Sequence, residues 1–252
     1  MLGRLILISW LLAASAVLQA APPAKIAIII DDVGNNLVRG RRALELPGTY
    51  TYSVLPFATY SDHLVRDAGR MQKELMLHLP MANINNKPLG PGGLSESMSQ
   101  AQFLYRVSEA LARVPGARGI NNHMGSALTT REREMSWLMS SLKHQGLFFI
   151  DSRTTTLTVA ADMARQARLS SASRDVFLDN EQQHDAIDRS FQKLLKIARQ
   201  KGSAIGIGHP YTATLEYLEQ AIPRLDSSQY QMVTVSELLN NRHELPATQA
   251  AE

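Results

Sequence analysis

Five apolar residues, Ile26 to Ile30, run without a polar break and end in Asp31-Asp32-Val33-Gly34. A short unbroken run rich in Ile predicts a strand buried on both faces, as in a parallel sheet. The same signal recurs at residues 50–55, 75–79, 119–122, 147–150 and 204–207, and more weakly at 169–172, 176–178 and 232–235. Helical periods fill the intervals, at 36–46, 61–72, 158–168, 186–200 and 215–222. Ser99-x-x-Gln102 has the form of a capping box and opens a further helix with Leu104, Val107, Leu111 and Val114 on one face. Thr129-x-x-Glu132 is expected to cap another, with Met135, Leu138, Met139 and Leu142 as its buried stripe and Gly146 as its stop.

Alternating strands and helices predict a parallel sheet with helices outside. The length of 252 residues fits a single-domain, closed or nearly closed α/β barrel of (β/α) units. An open doubly wound sheet is the runner-up. Gly206-Ile207-Gly208 lacks the third glycine of a dinucleotide turn, so it adds little to that alternative. Residues 83–97 carry three glycines and two prolines directly after a strand, which predicts a long loop placed as a substrate-facing lid.

The N-terminus reads differently. Arg4 precedes an apolar stretch over residues 5–18, followed by Ala20-Ala21 and Pro22-Pro23. This is the layout of a secretory signal peptide. The run is shorter than the roughly 20 residues a spanning helix needs, so cleavage near Ala20 and export to the periplasm are expected, without lasting membrane insertion. The plan is a signal peptide at 1–20, one domain at 21–241 and a polar tail at 242–252 expected to fray. The net charge of +3 comes without a Lys/Arg block, so nucleic acid is not an expected partner. Oligomeric state has no signature in the sequence. There is no cysteine, which removes disulfides, thiolate metal sites and Cys nucleophiles.

The candidate chemistry lies at strand ends. Of seven histidines, His78, His123 and His209 each stand at the C-terminal end of an apolar run, as do Asp31, Asp32 and Asp151. In a parallel barrel those ends converge on one face, where active sites form. Two imidazoles and a carboxylate leaving an open position suit a catalytic divalent metal, zinc foremost.

Four further blocks follow Asp31-Asp32 in order: Leu77-His78-Leu79-Pro80-Met81, Asn121-Asn122-His123-Met124-Gly125-Ser126, Asp151-Ser152-Arg153-Thr154 and Gly208-His209-Pro210. Together they resemble the divergent branch of the polysaccharide deacetylases, over about residues 25–239. The resemblance implies a distorted (β/α)7-type barrel and metal-dependent removal of N-acyl groups from an amino-sugar polymer, peptidoglycan being a candidate. It implies Asp31 as catalytic base, Asp32 as metal ligand and His209 as the group that assists the leaving amine. The main family places its metal histidines four apart, but Ala82 stands four after His78. His123 is then the expected second nitrogen beside Asp32 and His78. The main family's arginine motif is absent as such, and Arg153 beside Asp151 is the expected replacement in the catalytic set. Asn121, Asn122, Ser126 and Tyr211 are expected to touch substrate. Two alternatives stay open: a saccharide-binding or regulatory barrel without chemistry, and a hydrolase acting on a peptide or ester. No Gly-x-Ser-x-Gly elbow is present, which argues against a serine esterase.

Overall fold

The computed structural model describes residues 22–244, so the expected signal peptide and most of the expected tail lie outside the described residues. The elements in order are β1 Ala24–Val33, α1 Leu37–Leu44, β2 Thr51–Val54, α2 Ser61–Arg70, β3 Glu74–Met81, α3 Gln100–Ala112, β4 Gly119–Met124, α4 Glu132–His144, β5 Phe148–Asp151, α5 Ala160–Gln166, β6 Ser171–Ser173, β7 Val176–Phe177, α6 His184–Lys201, β8 Ser203–Gly208, α7 Thr212–Ala221, β9 Tyr230–Met232 and α8 Val235–Glu244. Every ladder is parallel, and the order is β6-β5-β4-β3-β2-β1-β8-β7, with β9 added to the first residues of β1. The sheet curls into a half-barrel. Among the described residues its two ends, β6 and β7, share no ladder. Arg174 lies at that seam, donating to the carbonyls of Ser152 (2.7 Å) and Arg153 (2.9 Å) on one side and lying 3.6 Å over the Phe177 ring on the other.

Side chains alternate across a strand with period 2, and here the alternation sorts two cores. Ile26, Ile28 and Ile30 pack outward with the helices, in one cluster with Leu77, Leu79, Phe149 and Leu194. Ala27, Ile29, Met76, Ile150, Ile205 and Ile207 point inward and are plugged from below by Val235, Leu238 and Leu239 of α8. The inward positions above that plug are the ones free to carry chemistry.

The start of α8 is set by a capping box at Thr234 and Glu237, whose side chains bond each other's backbone N–H at 3.2 and 2.8 Å. The expected strand over 232–235 therefore ends early, and Val235 is helical. The helix continues to Glu244, past the expected start of the tail. The box at Ser99 and Gln102 forms as expected, with both reciprocal bonds. Thr129 does not cap α4. It is fully buried in a 3-10 turn and donates its hydroxyl to the Gly125 carbonyl at 2.8 Å. The buried stripe of α3 is also rotated from the expected one: Phe103, Val107 and Ala110 are covered, while Leu104 and Leu111 are half-buried. Phe103 meets Trp137 of α4 edge to face, which sets that rotation.

The loop after β3 is irregular as expected but tied down. Asn83 Oδ1 accepts from the backbone N–H of Asn85 and Lys87, and Ser126 Oγ accepts from Ile84 N–H. The turn after β1 depends on Gly34, whose φ is +129° and whose missing Cβ would lie 2.5 Å from Ser61 Oγ. Gly34→Ala is therefore expected to cost about 1–3 kcal/mol through overpacking alone. A denaturant midpoint equal to wild type would show that the turn has slack. Among the described residues no helix is long and apolar enough to cross a membrane.

Candidate metal centre and active site

Two adjacent residues of a regular strand point to opposite faces. Ile29 is inward, so Asp31 is inward and Asp32 should face the helices. The backbone departs from regularity at this point. Asp32 has φ 56°, and the register with β2 shifts between Ile30 and Val33. Such an irregularity re-aims a side chain, and Asp is among the residues that tolerate the left-handed region. Asp32 Oδ1 is thereby 3.2 Å from His78 Nε2 and 3.0 Å from His123 Nδ1, and these nitrogens are 3.1 Å apart. His78 and Asn121 sit opposite each other on β3 and β4, with His123 two residues on and hence on the same inward face.

The three atoms fit a divalent cation. Ligands about 2.0–2.1 Å from a tetrahedral centre lie about 3.3 Å from each other, close to the observed spacings. The donor set of two imidazole nitrogens and one carboxylate oxygen suits zinc among others. Asp32 Oδ1 is buried with no hydrogen bond of good geometry. It lies within ion-pair distance of both imidazoles, but neither supplies an aligned donor. Burial opposes ionisation of Asp32, yet His123 and His78 outweigh it and hold the carboxyl well below the usual range. Burial likewise opposes protonation of His78, and Asp31 and Asp32 overcome it, pushing that imidazole up. The centre thus demands a positive charge, whether a proton or a cation. The side chain of His78 is 3% exposed against 24% for Asp32 and 20% for His123, so the open side lies by the latter two. A cleft of about 240 Å³ adjoins His123 there, walled by Leu55, Pro56 and Phe57 and by Pro88, Leu89 and Pro91 of the long loop.

Asp31 lies behind the triad, its Oδ2 3.6 Å from His78 Nε2. Burial pushes its carboxyl up, against the pull of His78, His209 and Asn121. In the β1–β8 ladder Ile30 stands opposite Gly208, so Asp31 and His209 are the next residues of neighbouring strands. His209 Nδ1 is 2.9 Å from Asp179 Oδ1, and Asp179 Oδ2 accepts from His209 N–H at 2.6 Å and from Thr214 Oγ at 2.7 Å. With Nδ1 spent on this fully enclosed carboxylate, Nε2 is the nitrogen left to exchange a proton. Phe177 and Tyr211 stack on the ring at 6.2 and 5.2 Å. Burial opposes the charge on His209, but Asp179, then Asp31 and Asp32, raise its pKa to about 9.

That shift carries a test. A group whose folded pKa is raised contributes its full stability below the unfolded value, about 6.5, and loses it as pH climbs through the folded one. Metal-free protein is expected to lose stability between pH 6.5 and about 9 through His209. Asp179→Asn should flatten that slope and bring the His209 titration, followed by NMR, back down. An unmoved titration would remove Asp179 as the cause.

Several expected site residues have other work. Asp151 follows the outward Phe149 in the pleat, so it faces the helix side and accepts from Arg153 N–H (2.8 Å) and Thr158 Oγ (2.9 Å). Burial pushes its carboxyl up. Arg153 is exposed, with φ 49°, and does not reach Asp31 through any hydrogen bond or ion pair. Asn122 points outward and joins the Met124 carbonyl (2.7 Å) to Ser152 N–H (2.9 Å). Ser126 anchors the long loop, and Asn121 is wholly buried. Tyr211 borders the site half-buried, stacked on His209. The sequence reading missed Asp179, Ser53 and Arg174. Asp179 had a signal, as a carboxylate ending the weak run 176–178. Arg174 is held to about 10 by burial and by Arg153, and its charge acts on Asp151, Asp175 and Asp31.

Fold and site define a curled parallel half-barrel whose strand ends gather an Asp-His-His cluster, a buried acid and a histidine–carboxylate pair. Residues 28–239 match the family described as divergent polysaccharide deacetylase, and the chain belongs to that family. An uncharacterised protein of Haemophilus influenzae is 34% identical over 223 residues, covering 88% of this chain and 79% of its own. The crystal structure of uncharacterised protein ATU2773 from Agrobacterium tumefaciens superposes with TM-score 0.82 at 21% identity, covering 87% of this chain and 91% of that one. Two more distant structures share the fold. The peptidoglycan N-acetylglucosamine deacetylase Bc1960 has TM-score 0.55 at 14% identity, over 85% of this chain and 87% of its own. BA3943 of Bacillus anthracis, a pseudoenzyme of carbohydrate esterase family 4, has TM-score 0.53 at 14% identity, over 88% and 70%.

Proposed function

We propose that this protein is an exported, metal-dependent hydrolase that removes N-acyl groups from an amino-sugar polymer of the cell envelope, with peptidoglycan the leading candidate. The observation that carries this reading is the convergence of Asp32, His78 and His123 within 3.0–3.2 Å, with Asp31 behind and His209 on the neighbouring strand. Family membership supports a saccharide substrate and deacylation chemistry. The N-terminal layout around Arg4, the apolar run and Ala20-Ala21 supports export.

Asp32, His78 and His123 would hold a divalent cation. A divalent ion held there supplies polarisation of the acyl carbonyl and lowers the pKa of water toward about 7. Asp31 takes the proton from the attacking water as its oxygen bonds to the acyl carbon. The C–N bond then breaks, and His209, protonated at neutral pH, gives a proton to the departing amine. The products are a free carboxylate and a free amino sugar. Asp179 holds His209 in the tautomer that presents Nε2.

The test is acetate release from N-acetylglucosamine oligomers and peptidoglycan fragments by metal-loaded protein. Binding of such oligomers without release would replace the hydrolase by a saccharide-binding barrel.

A further inference from the structure

Asn121 was expected at the substrate, yet it is fully buried and its amide is shared among three other groups. Its Nδ2 donates to Asp31 Oδ1 at 2.8 Å. Its Oδ1 accepts from Ser53 Oγ at 2.6 Å and lies 2.8 Å from His78 Nδ1. We propose that Asn121 is the positioning residue of the centre, one carboxamide that fixes both the ligating tautomer of His78 and the rotamer of Asp31. The proposal rests on reading the centre as a metal-dependent hydrolase.

The argument is a count of donors and acceptors. A carboxamide oxygen accepts twice and its nitrogen donates twice. With the oxygen toward Ser53 and His78, both its lone pairs are used, and His78 Nδ1 must carry a hydrogen. The lone pair of His78 is then on Nε2, the atom facing Asp32 Oδ1 and His123 Nδ1. Turning the amide over puts its oxygen against Asp31 Oδ1, acceptor against acceptor. It also puts N–H against His78 Nδ1, which moves the ring hydrogen to Nε2 and removes that nitrogen as a ligand. Ser53, itself fully buried, donates only into the productive orientation. Two strands fix the geometry, because Asn121 pairs with His78 across the β3–β4 ladder. Ligand orientation by the other ring nitrogen's partner is a general device of metal-binding histidines. Here the same amide also grips the base. Arg153, expected in support of the catalytic set, takes no part.

The experiment uses zinc-loaded full-length protein and Asn121→Leu. In wild type, NMR is expected to show His78 bound through Nε2, with an Nδ1–H protected from exchange. In Asn121→Leu that protection is lost, zinc affinity falls about 10–100-fold by chelator competition, and kcat falls with KM unchanged. Coordination of His78 through Nδ1 in wild type overturns the proposal. So does a folded Asn121→Leu protein with wild-type affinity and protection. The wild-type measurement decides even where the variant does not fold. Wild-type protein that shows the Nε2-bound, protected His78 but releases no acyl group overturns the proposed function and leaves the Asn121 assignment standing.

Discussion

Asp31→Asn is expected to lower the rate of deacylation by roughly 10²–10⁴-fold, the usual contribution of a general base, with bound metal unchanged. The substitution is nearly isosteric. It leaves Asp32, His78 and His123 in place, since Asp31 Oδ2 stands 3.6 Å from His78 Nε2 and shares neither of the closest contacts of the triad. It also keeps an oxygen to accept from Asn121 Nδ2. What it removes is the capacity to take a proton. Parallel assays of acetate release and elemental metal content separate the two effects. A rate near wild type would show that proton transfer runs through another group, with His209 on the adjoining strand the first to examine. Loss of metal together with activity would recast Asp31 as a ligand.

The second large effect is expected at His78. His78→Ala should take bound divalent ion from about one per chain to near none, because a three-ligand catalytic site keeps no spare protein ligand. The loss goes beyond one nitrogen. His78 is enclosed between Asp31, Asp32 and Asn121, so its removal takes from both carboxylates one of the partners that offset their burial, leaving Asp32 with His123 alone. His209→Ala is the contrast, since it lies among Asp179, Phe177 and Tyr211 and should abolish activity with metal retained. Elemental analysis after dialysis reads both. Full occupancy in both His78→Ala and His123→Ala would sink the metal assignment.

Much of this centre was legible because it obeys strand alternation. His78, His123 and His209 each follow an apolar run at the inward parity set by Met76, Asn121 and Ile207. The same rule, applied more strictly, would have removed Asp151 and Asn122, which share the outward face with Phe149 and the helices. Asp31 and Asp32 both stand at the end of the first apolar run, but the left-handed Asp32 that lets both serve one site is a backbone event with no local signature. Asp179 was hard to see because its strand spans only Val176–Phe177. One helix start departs for a related reason. Thr129-x-x-Glu132 and Thr234-x-x-Glu237 look alike in sequence, and they differ in that Thr129 is buried with its hydroxyl spent on the Gly125 carbonyl.

The placement of β1 also governs how the chain assembles. The first strand in sequence lies in the interior of the sheet, and its neighbours β8 and β9 and the plug α8 come from the last stretch of the described chain. Contacts between residues such as Ile26 and Met232 close a loop of nearly the whole domain, and contacts of that range slow folding. On a ribosome the inward faces of Ala27 and Ile29 have no lid until Leu238 and Leu239 have emerged. The nascent domain is thus held open along that inward seam until α8 has been made.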